Sequence, residues 1–232
     1  MYRPGCAMKL ALFDLDHTLL PIDSDHAWGA FTTKLGWTDA FDFRKRNDKF
    51  YAQYRQGALD ILEYIEFATL AIRQQGIRAA ETARRDFMRN VIESAIRVEA
   101  LDLLQGHRNA GDQLLIVTAT NDFITRPIAD RFGVSELIAA ELQRDKAGEL
   151  TGRLTGVPSY REGKVVRVEQ WLASRGLGWD DLETSSFYSD SINDVALLER
   201  VSHPVATNAD PALRDLAKQR GWRILDLFTG AD

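Results

Sequence analysis

Short apolar runs and longer stretches of helical periodicity alternate along most of this chain. Leu10 to Phe13 is an apolar run of strand length, and Leu114 to Val117 is another. Between them, from about residue 24 to residue 106, apolar residues recur at helical spacing and strand patterns are almost absent. Strand and helix patterns alternate again after residue 107. This order predicts a doubly wound α/β fold with a mainly parallel sheet and a helical segment inserted after the first strand.

Turn and capping residues place the individual elements, with Asp23 or Ser24 as the N-cap of the first helix. Helices of the insert are predicted over residues 28–35, 40–54, 59–75 and 80–92, and a further helix over residues 99–107. The later part is predicted to contain strands at 112–118, 137–142, 185–188, 204–207 and 223–225, a hairpin arm at 149–156, and helices at 122–132, 161–174, 195–200 and 211–220. We therefore expect an α/β core domain of residues 1–21 and 107–232, and a helical cap domain of residues 22–106.

Composition narrows the possible partners. The 232 residues carry 29 Lys and Arg against 34 Asp and Glu, a net charge of −5, so there is no basic surface of the kind that binds nucleic acid. Cys6 is the only cysteine, which excludes an internal disulfide. With no secretory leader or long apolar segment, the sequence predicts a cytoplasmic protein that binds neither nucleic acid nor membrane, with residues 1–7 as a loose tail.

Polar side chains follow several of the predicted strands where a ligand would bind. They are Asp14, Asp16 and Thr18 after the first strand, Thr118 at the end of the second, Lys164 in the first turn of a later helix, and Asp190, Asn193 and Asp194 after a fourth strand. Each alone is commonly a turn, cap or solvated residue. In a doubly wound sheet, however, these strand ends meet at one edge.

The combination points to phosphoryl transfer. That reaction needs a nucleophile, a proton carrier, a divalent cation, and donors for the phosphoryl oxygens. Carboxylates clustered this closely repel one another, and a hard cation with oxygen ligands, Mg²⁺ above all, relieves that repulsion. The sequence therefore predicts a Mg²⁺-dependent site for phosphoryl transfer.

Four segments, in chain order, resemble the motifs of the haloacid dehalogenase superfamily. The branch that is similar is the phosphoserine-phosphatase-like subfamily IB, in which a helical cap follows the first motif of a Rossmann-like core. The segments are Phe13 to Leu20, Ile116 to Thr120, Lys164, and Tyr188 to Asp194. The resemblance covers nearly the whole chain.

This resemblance implies a role for each residue. Asp14 would be the nucleophile that becomes an aspartyl phosphate, and Asp16 the general acid and base. Thr118 would bind a phosphoryl oxygen, and Lys164 would neutralise both nucleophile and phosphate. Asn193 would orient the phosphate.

The resemblance also implies a set of metal ligands. Asp14 and Asp190 would bind Mg²⁺ through their side chains, and Asp16 through its backbone carbonyl. Asp194 would support the metal through water or a hydrogen bond. His17 is interpreted as part of the pocket wall, and the other three histidines, His26, His107 and His203, as structural.

Residues of the cap are expected to determine which substrate binds. In phosphoserine phosphatases an acidic residue shortly after the first motif receives the substrate ammonium, and a cap Arg binds its carboxylate. Asp23 falls at the acidic position, but Ala68 falls where the Arg is expected. This favours an amine-bearing phosphate without a carboxylate, such as histidinol phosphate, which could stack on Trp28 or Phe31. Arg55 or Arg73 could still reach in from a neighbouring turn.

Three alternatives stay open from the sequence. Phosphoserine phosphatase activity is one. A receiver-like phospho-aspartate signalling module is another, although Asp16 argues against a long-lived phosphoenzyme and receivers lack a helical insert. The third is a phosphotransferase or mutase, in which the phosphoryl group passes to a second hydroxyl instead of water.

Overall fold

The computed structural model describes residues 8–228, and the predictions for residues 1–7, including Cys6, lie outside this range. The strands are β1 Met8–Phe13, β2 Gln113–Asn121, β3 Glu136–Ala140, β4 Leu142–Arg144, β5 Leu150–Leu154, β6 Leu182–Ser189, β7 His203–Thr207 and β8 Arg223–Leu225. Six of them form one sheet in the order β3-β2-β1-β6-β7-β8, and every neighbouring pair is parallel. The predicted α/β fold is confirmed.

The helices are α1 Ser24–Lys34, α2 Ala40–Arg55, α3 Ile61–Ala68, α4 Leu70–Gln75, α5 Ile77–Phe87, α6 Glu93–Ala95, α7 Val98–Asn109, α8 Asp122–Arg131, α9 Glu162–Ala173, α10 Val195–Leu198 and α11 Pro211–Arg220. A π-helical segment, Met88–Ile92, joins α5 to α6, and short 3₁₀ turns cover Trp179–Asp181 and Ile192–Asp194. Across residues 8–228, every helix is too short or too polar to cross a membrane.

Strand β1 lies in the interior of the sheet, and both of its faces are buried. Leu10 and Leu12 pack into one core cluster, and Ala11 and Phe13 into a second on the opposite face. A strand covered on both sides is uniformly apolar rather than alternating, which explains the apolar run in the sequence. The polar residues that follow β1 therefore lie at the edge of the sheet.

Asp residues begin the first three helices of the insert. Asp23 accepts a hydrogen bond from the backbone N–H of His26, so it is the N-cap of α1, and Asp39 and Asp60 cap α2 and α3 in the same way. The single helix predicted over residues 59–75 is wrong in one detail, because α3 ends and α4 begins at Thr69. The Thr69 hydroxyl donates to the Ile65 carbonyl at 2.7 Å, a bond of the kind that bends helices.

Helix α7 lies at the predicted boundary between cap and core. The boundary between residues 106 and 107 falls inside this helix. Leu104 of α7 is buried in the same cluster as Ile116 of β2, and His107 lies 2.9 Å from the Tyr188 hydroxyl of β6. We therefore propose that α7 belongs to the core and that the cap ends before Val98.

Candidate active site

Asp14 lies where the chain leaves β1, and its backbone N–H donates to the Tyr188 carbonyl at 2.9 Å. The side chain is buried, and its Oδ1 accepts a hydrogen bond from Lys164 Nζ at 2.9 Å. The same ammonium donates to Asp194 Oδ2 at 2.7 Å. Three predicted site residues that are up to 180 positions apart in the chain thus form one buried ion-pair group.

Lys164 reaches this position because α9 approaches the preceding loop very closely. A Cβ atom at Gly163 would lie 2.0 Å from the Pro158 carbonyl oxygen, so only glycine fits there. Lys164 itself is completely buried. Burial alone lowers the pKa of Lys164, but the charges of Asp14 and Asp194 outweigh it and hold that pKa above its usual value. The ammonium therefore stays charged beside Asp14.

The surroundings of Asp14 shift its pKa in opposite directions. Burial and the charge of Asp194 raise the pKa of Asp14 and the charge of Lys164 lowers it, which together leave that pKa at about 7. A nearby cation is what such a carboxylate needs in order to ionise and act as a nucleophile.

Asp16 points away from the Asp14–Lys164 pair. Its Oδ1 accepts from the Ser24 backbone N–H at 2.8 Å, and its Oδ2 accepts from the Thr120 hydroxyl at 2.7 Å. Burial and the charge of Asp23 raise the pKa of Asp16 to about 6, while the bonds from Ser24 and Thr120 limit the rise. A carboxyl group that titrates near neutrality can donate a proton in one step and accept one in the next.

Thr118 and Asp190 complete the wall around Asp14. Thr118 is buried within β2, and its hydroxyl oxygen accepts from the Thr120 backbone N–H at 3.1 Å. Asp190 accepts from the Thr18 hydroxyl at 3.1 Å. Burial and the charge of Asp14 raise the pKa of Asp190 well above its usual value. The two carboxylates of Asp14 and Asp190 are thus close enough to repel each other.

The predicted metal ligands fit Mg²⁺ in part. In residues 8–228, no group of three or more His, Cys, Asp or Glu side chains is arranged around a single point. The Asp16 carboxylate is engaged by Ser24 and Thr120, and Asp194 Oδ2 by Lys164 and by the Ser189 hydroxyl at 2.7 Å. The mutually repelling carboxylates of Asp14 and Asp190 suit a hard divalent cation. They, with the Asp16 carbonyl, would hold it.

Asn193 contacts the cap. Its Nδ2 donates to the Tyr54 carbonyl of α2 at 2.7 Å. Arg161 similarly donates to the Gly57 carbonyl at 3.0 Å. The position predicted to orient the phosphate therefore also ties the end of α2 to the core.

A cavity opens from Asp14 toward the cap. Its lining comprises Asp14, Asp16, His17, Asp23, Asp25, His26, Asn47, Phe50, Tyr51, Tyr54, Leu59, Ile61, Tyr64, Thr118, Ala119, Thr120 and Asp190. His17 lies in the pocket wall, as predicted, and Asp23 also lines the cavity. His26 was predicted to be structural, but it lines the cavity too, and its Nε2 lies 3.0 Å from Asp48 Oδ1.

The aromatic part of this lining differs from the prediction. Trp28 packs in the core against Phe87 and Phe123 and does not line the cavity, and neither does Phe31. The rings that line it are Phe50, Tyr51, Tyr54 and Tyr64 of α2 and α3. A helix pattern marks which residues are apolar, but the packing partner decides which face meets the cavity.

Two site residues were not found from the sequence. Asp25 lies two positions after Asp23 and resembles an ordinary acidic residue in a first helical turn, and Tyr64 resembles a core aromatic. The sequence signal for Asp25 was its position two residues after Asp23. Acidic residues are common in the first turn of helices, so this spacing does not distinguish a binding site from a helix start.

A sequence profile of the haloacid dehalogenase-like hydrolases matches residues 11–199. A histidinol-phosphatase of Neisseria meningitidis serogroup C is 40% identical over 218 residues, which cover 94% of this chain and 98% of the relative. A phosphoserine phosphatase of Mycobacterium tuberculosis is 30% identical over 219 residues, 93% of this chain and 70% of the relative. A protein of unknown function from Bordetella pertussis Tohama I, for which a crystal structure exists, is 47% identical in sequence to this chain. The two structures align with a TM-score of 0.90, and the alignment covers 96% of this chain and 100% of the other.

Proposed function

The chain belongs to the haloacid dehalogenase-like hydrolases and is a phosphatase, and from this premise we propose that it hydrolyses a small amine-bearing phosphomonoester through an aspartyl phosphate. The observation that carries the mechanism is the buried Lys164 ammonium, held between Asp14 at 2.9 Å and Asp194 at 2.7 Å. A cation in this position screens the approach of an anionic phosphate to an anionic nucleophile.

In the first step, Asp14 attacks phosphorus while the bond from phosphorus to the substrate's alcohol oxygen breaks. Asp16 donates its proton to that oxygen, so the alcohol leaves neutral. Thr118 donates its hydroxyl hydrogen to a phosphoryl oxygen. Bound Mg²⁺, held by Asp14, Asp190 and the Asp16 carbonyl, would add positive charge beside the phosphoryl oxygens.

In the second step, the Asp16 carboxylate takes a proton from water as the water oxygen attacks phosphorus. The bond to Asp14 breaks, inorganic phosphate leaves, and both carboxyl groups return to their starting states. The position of Asp16, turned toward α1 and away from Lys164, supports this division of roles between the two carboxyls.

The cavity lining supports an amine-bearing substrate without a carboxylate. Across residues 8–228, no Arg or Lys is among its lining residues, whereas Asp23 and Asp25 are. Arg73, a possible carboxylate partner, donates to the Glu66 carbonyl instead, and Arg55 lines an adjoining groove that shares His17, Tyr51, Tyr54 and Asp190 with the cavity. Together with the histidinol-phosphatase relative, this favours histidinol phosphate over phosphoserine.

Steady-state assays of phosphate release with Mg²⁺ test the substrate. We expect kcat/KM for histidinol phosphate to exceed that for phosphoserine by at least about 100-fold, because a buried carboxylate without a cation costs several kcal/mol. Equal or better turnover of phosphoserine would contradict the proposal. Stoichiometric release of inorganic phosphate and alcohol distinguishes hydrolysis from transfer to a second hydroxyl.

We also propose a cytoplasmic location, supported by the single cysteine in 232 residues.

A further inference from the structure

Asp25 is a buried carboxylate in the cavity wall that the two catalytic steps do not use. It is only 5% exposed and lies in the first turn of α1. Its Oδ2 accepts from the Tyr64 hydroxyl at 2.7 Å, and its Oδ1 accepts from Asn121 Nδ2 at 3.3 Å. Cap helix α3, the start of α1 and the end of β2 therefore meet at this one carboxylate.

No cationic side chain compensates Asp25 in the described range, residues 8–228. Its surroundings are neutral donors and the acidic residues Asp23 and Asp16, and burial raises the pKa of Asp25 to about 7. Each carboxylate oxygen can accept two hydrogen bonds, so one bond on each leaves room for further donors. A buried carboxylate with spare acceptor positions and no cation is a binding position for a positively charged group.

Asp23, unlike Asp25, acts as a helix cap. It is partly exposed, and its Oδ1 accepts from the His26 backbone N–H at 2.8 Å as the N-cap of α1. This bond satisfies one of the free amides at the start of the helix, a structural duty that an Asn would also perform.

Building on the proposed phosphatase function, we propose that Asp25, rather than Asp23, receives the primary ammonium group of the substrate. Tyr64 and Asn121 are positioning residues, because their hydrogen bonds hold the Asp25 carboxylate toward the cavity. Since Asp25 and Tyr64 belong to the cap and Asn121 to β2 of the core, recognition of the amine would also bring cap and core together around the substrate.

The test compares histidinol phosphate with its deamino analogue, 3-(imidazol-4-yl)propyl phosphate. These compounds share the phosphate, the chain length and the ring, and differ only in the amine. We expect the wild-type protein to prefer the amine compound by at least about 100-fold in kcat/KM, and Asp25→Asn to abolish most of that preference. The matched control Asp23→Asn should retain the preference within about fivefold, because it keeps the helix cap.

Tyr64→Phe provides a second measurement if Asp25→Asn does not fold. It should lower the preference by about tenfold through KM for the amine compound, with kcat little altered. If the wild-type protein hydrolyses neither compound, the proposed function is wrong. If it hydrolyses both equally well, or if Asp25→Asn lowers both in parallel, or if Asp23→Asn abolishes the preference instead, the phosphatase function stands and the role of Asp25 is wrong.

Discussion

Four carboxyl groups around the cavity, those of Asp14, Asp16, Asp25 and Asp190, have raised pKa values for one main reason. Each is buried away from water, which disfavours the charged form. They differ in their partners: Asp14 has Lys164, Asp16 has backbone and hydroxyl donors, and Asp25 has only neutral donors. We therefore propose that the partners make one of these chemically identical groups a nucleophile, another an acid and base, and a third a ligand-binding residue.

Asp14→Asn tests the nucleophile. The substitution keeps the shape of the side chain but removes the attacking oxygen anion, so we expect kcat to fall by at least about 10⁴-fold, with no phosphoenzyme detectable by mass spectrometry. Lys164 keeps its bond to Asp194, and one buried carboxylate is removed. The thermal midpoint should therefore stay the same or rise. Near wild-type turnover, with deamidation of the Asn excluded by mass spectrometry, would contradict covalent catalysis.

At the scale of elements, helix α2 is the part of the cap most directly tied to the catalytic edge. The Tyr51 hydroxyl lies 3.1 Å from His17 Nε2, and Asn193 and Arg161 bind the backbone carbonyls of Tyr54 and Gly57. We call these three contacts the α2 latch. All three hold the end of α2 over the cavity, so the latch must open for product to leave if the cap closes during transfer.

The hairpin of β4 and β5 ties another part of the cap to the core. Glu149 accepts a hydrogen bond from the Ile77 backbone N–H at the start of α5, at 2.8 Å. Of the two chain crossings between cap and core, residues 20–23 precede α1, whereas residues 106–111 overlap the end of α7, which packs on the sheet. We therefore propose that movement is concentrated in α2 and α3 rather than in the whole insert.

Tyr51→Phe tests the latch. It keeps the ring beside His26, 5.4 Å between ring centroids, but removes the bond to His17. We expect faster amide hydrogen exchange in residues 40–57, a several-fold lower kcat/KM, and a change in thermal midpoint of no more than about 2 °C. Lys49→Ala, on an exposed position of the same helix, is the matched control. Unchanged exchange in Tyr51→Phe would exclude the hydroxyl as part of a latch.

At the scale of the whole molecule, the raised pKa values link stability to pH and to metal. The pKa is about 7 for Asp14 and about 6 for Asp16, against about 4 in an unfolded chain, so the folded state binds more protons between these values. Stability without divalent cations should consequently fall as pH rises from about 4 to about 7. Mg²⁺ needs the ionised ligands and should recover stability mainly at the upper end of this range.

Thermal melts at pH 6 and pH 8 check this linkage. We expect the metal-free protein to melt at a lower temperature at pH 8 than at pH 6, and Mg²⁺ to raise the midpoint more at pH 8. Asp190→Asn should reduce the effect of Mg²⁺, since it removes one of the two repelling carboxylates. Phosphatase activity should disappear in EDTA and return with Mg²⁺. A stabilisation by Mg²⁺ that is equal at both pH values would contradict the proposed ligands.

The sheet, the insert and the order of the site residues along the chain follow from the sequence pattern. The apolar run before Asp14 is sufficient to identify a strand buried on both faces, and the strand ends then bring Asp14, Thr118 and Asp190 to one edge. These properties depend on local periodicity and on the parallel topology, so they can be predicted from the sequence.

The use of the individual side chains, in contrast, depends on contacts that form only in the folded protein. Asp14 and Asp16 are two residues apart, yet one faces Lys164 and the other faces Ser24 and Thr120. Trp28 was expected near the substrate and lies in the core, whereas Asp25 meets Tyr64 across 39 positions and lines the cavity. Such pairings depend on how helices of the cap pack against the sheet edge. Contacts between residues distant in sequence produce no periodic pattern, so the residues with which the cap lines the cavity could not be predicted from it.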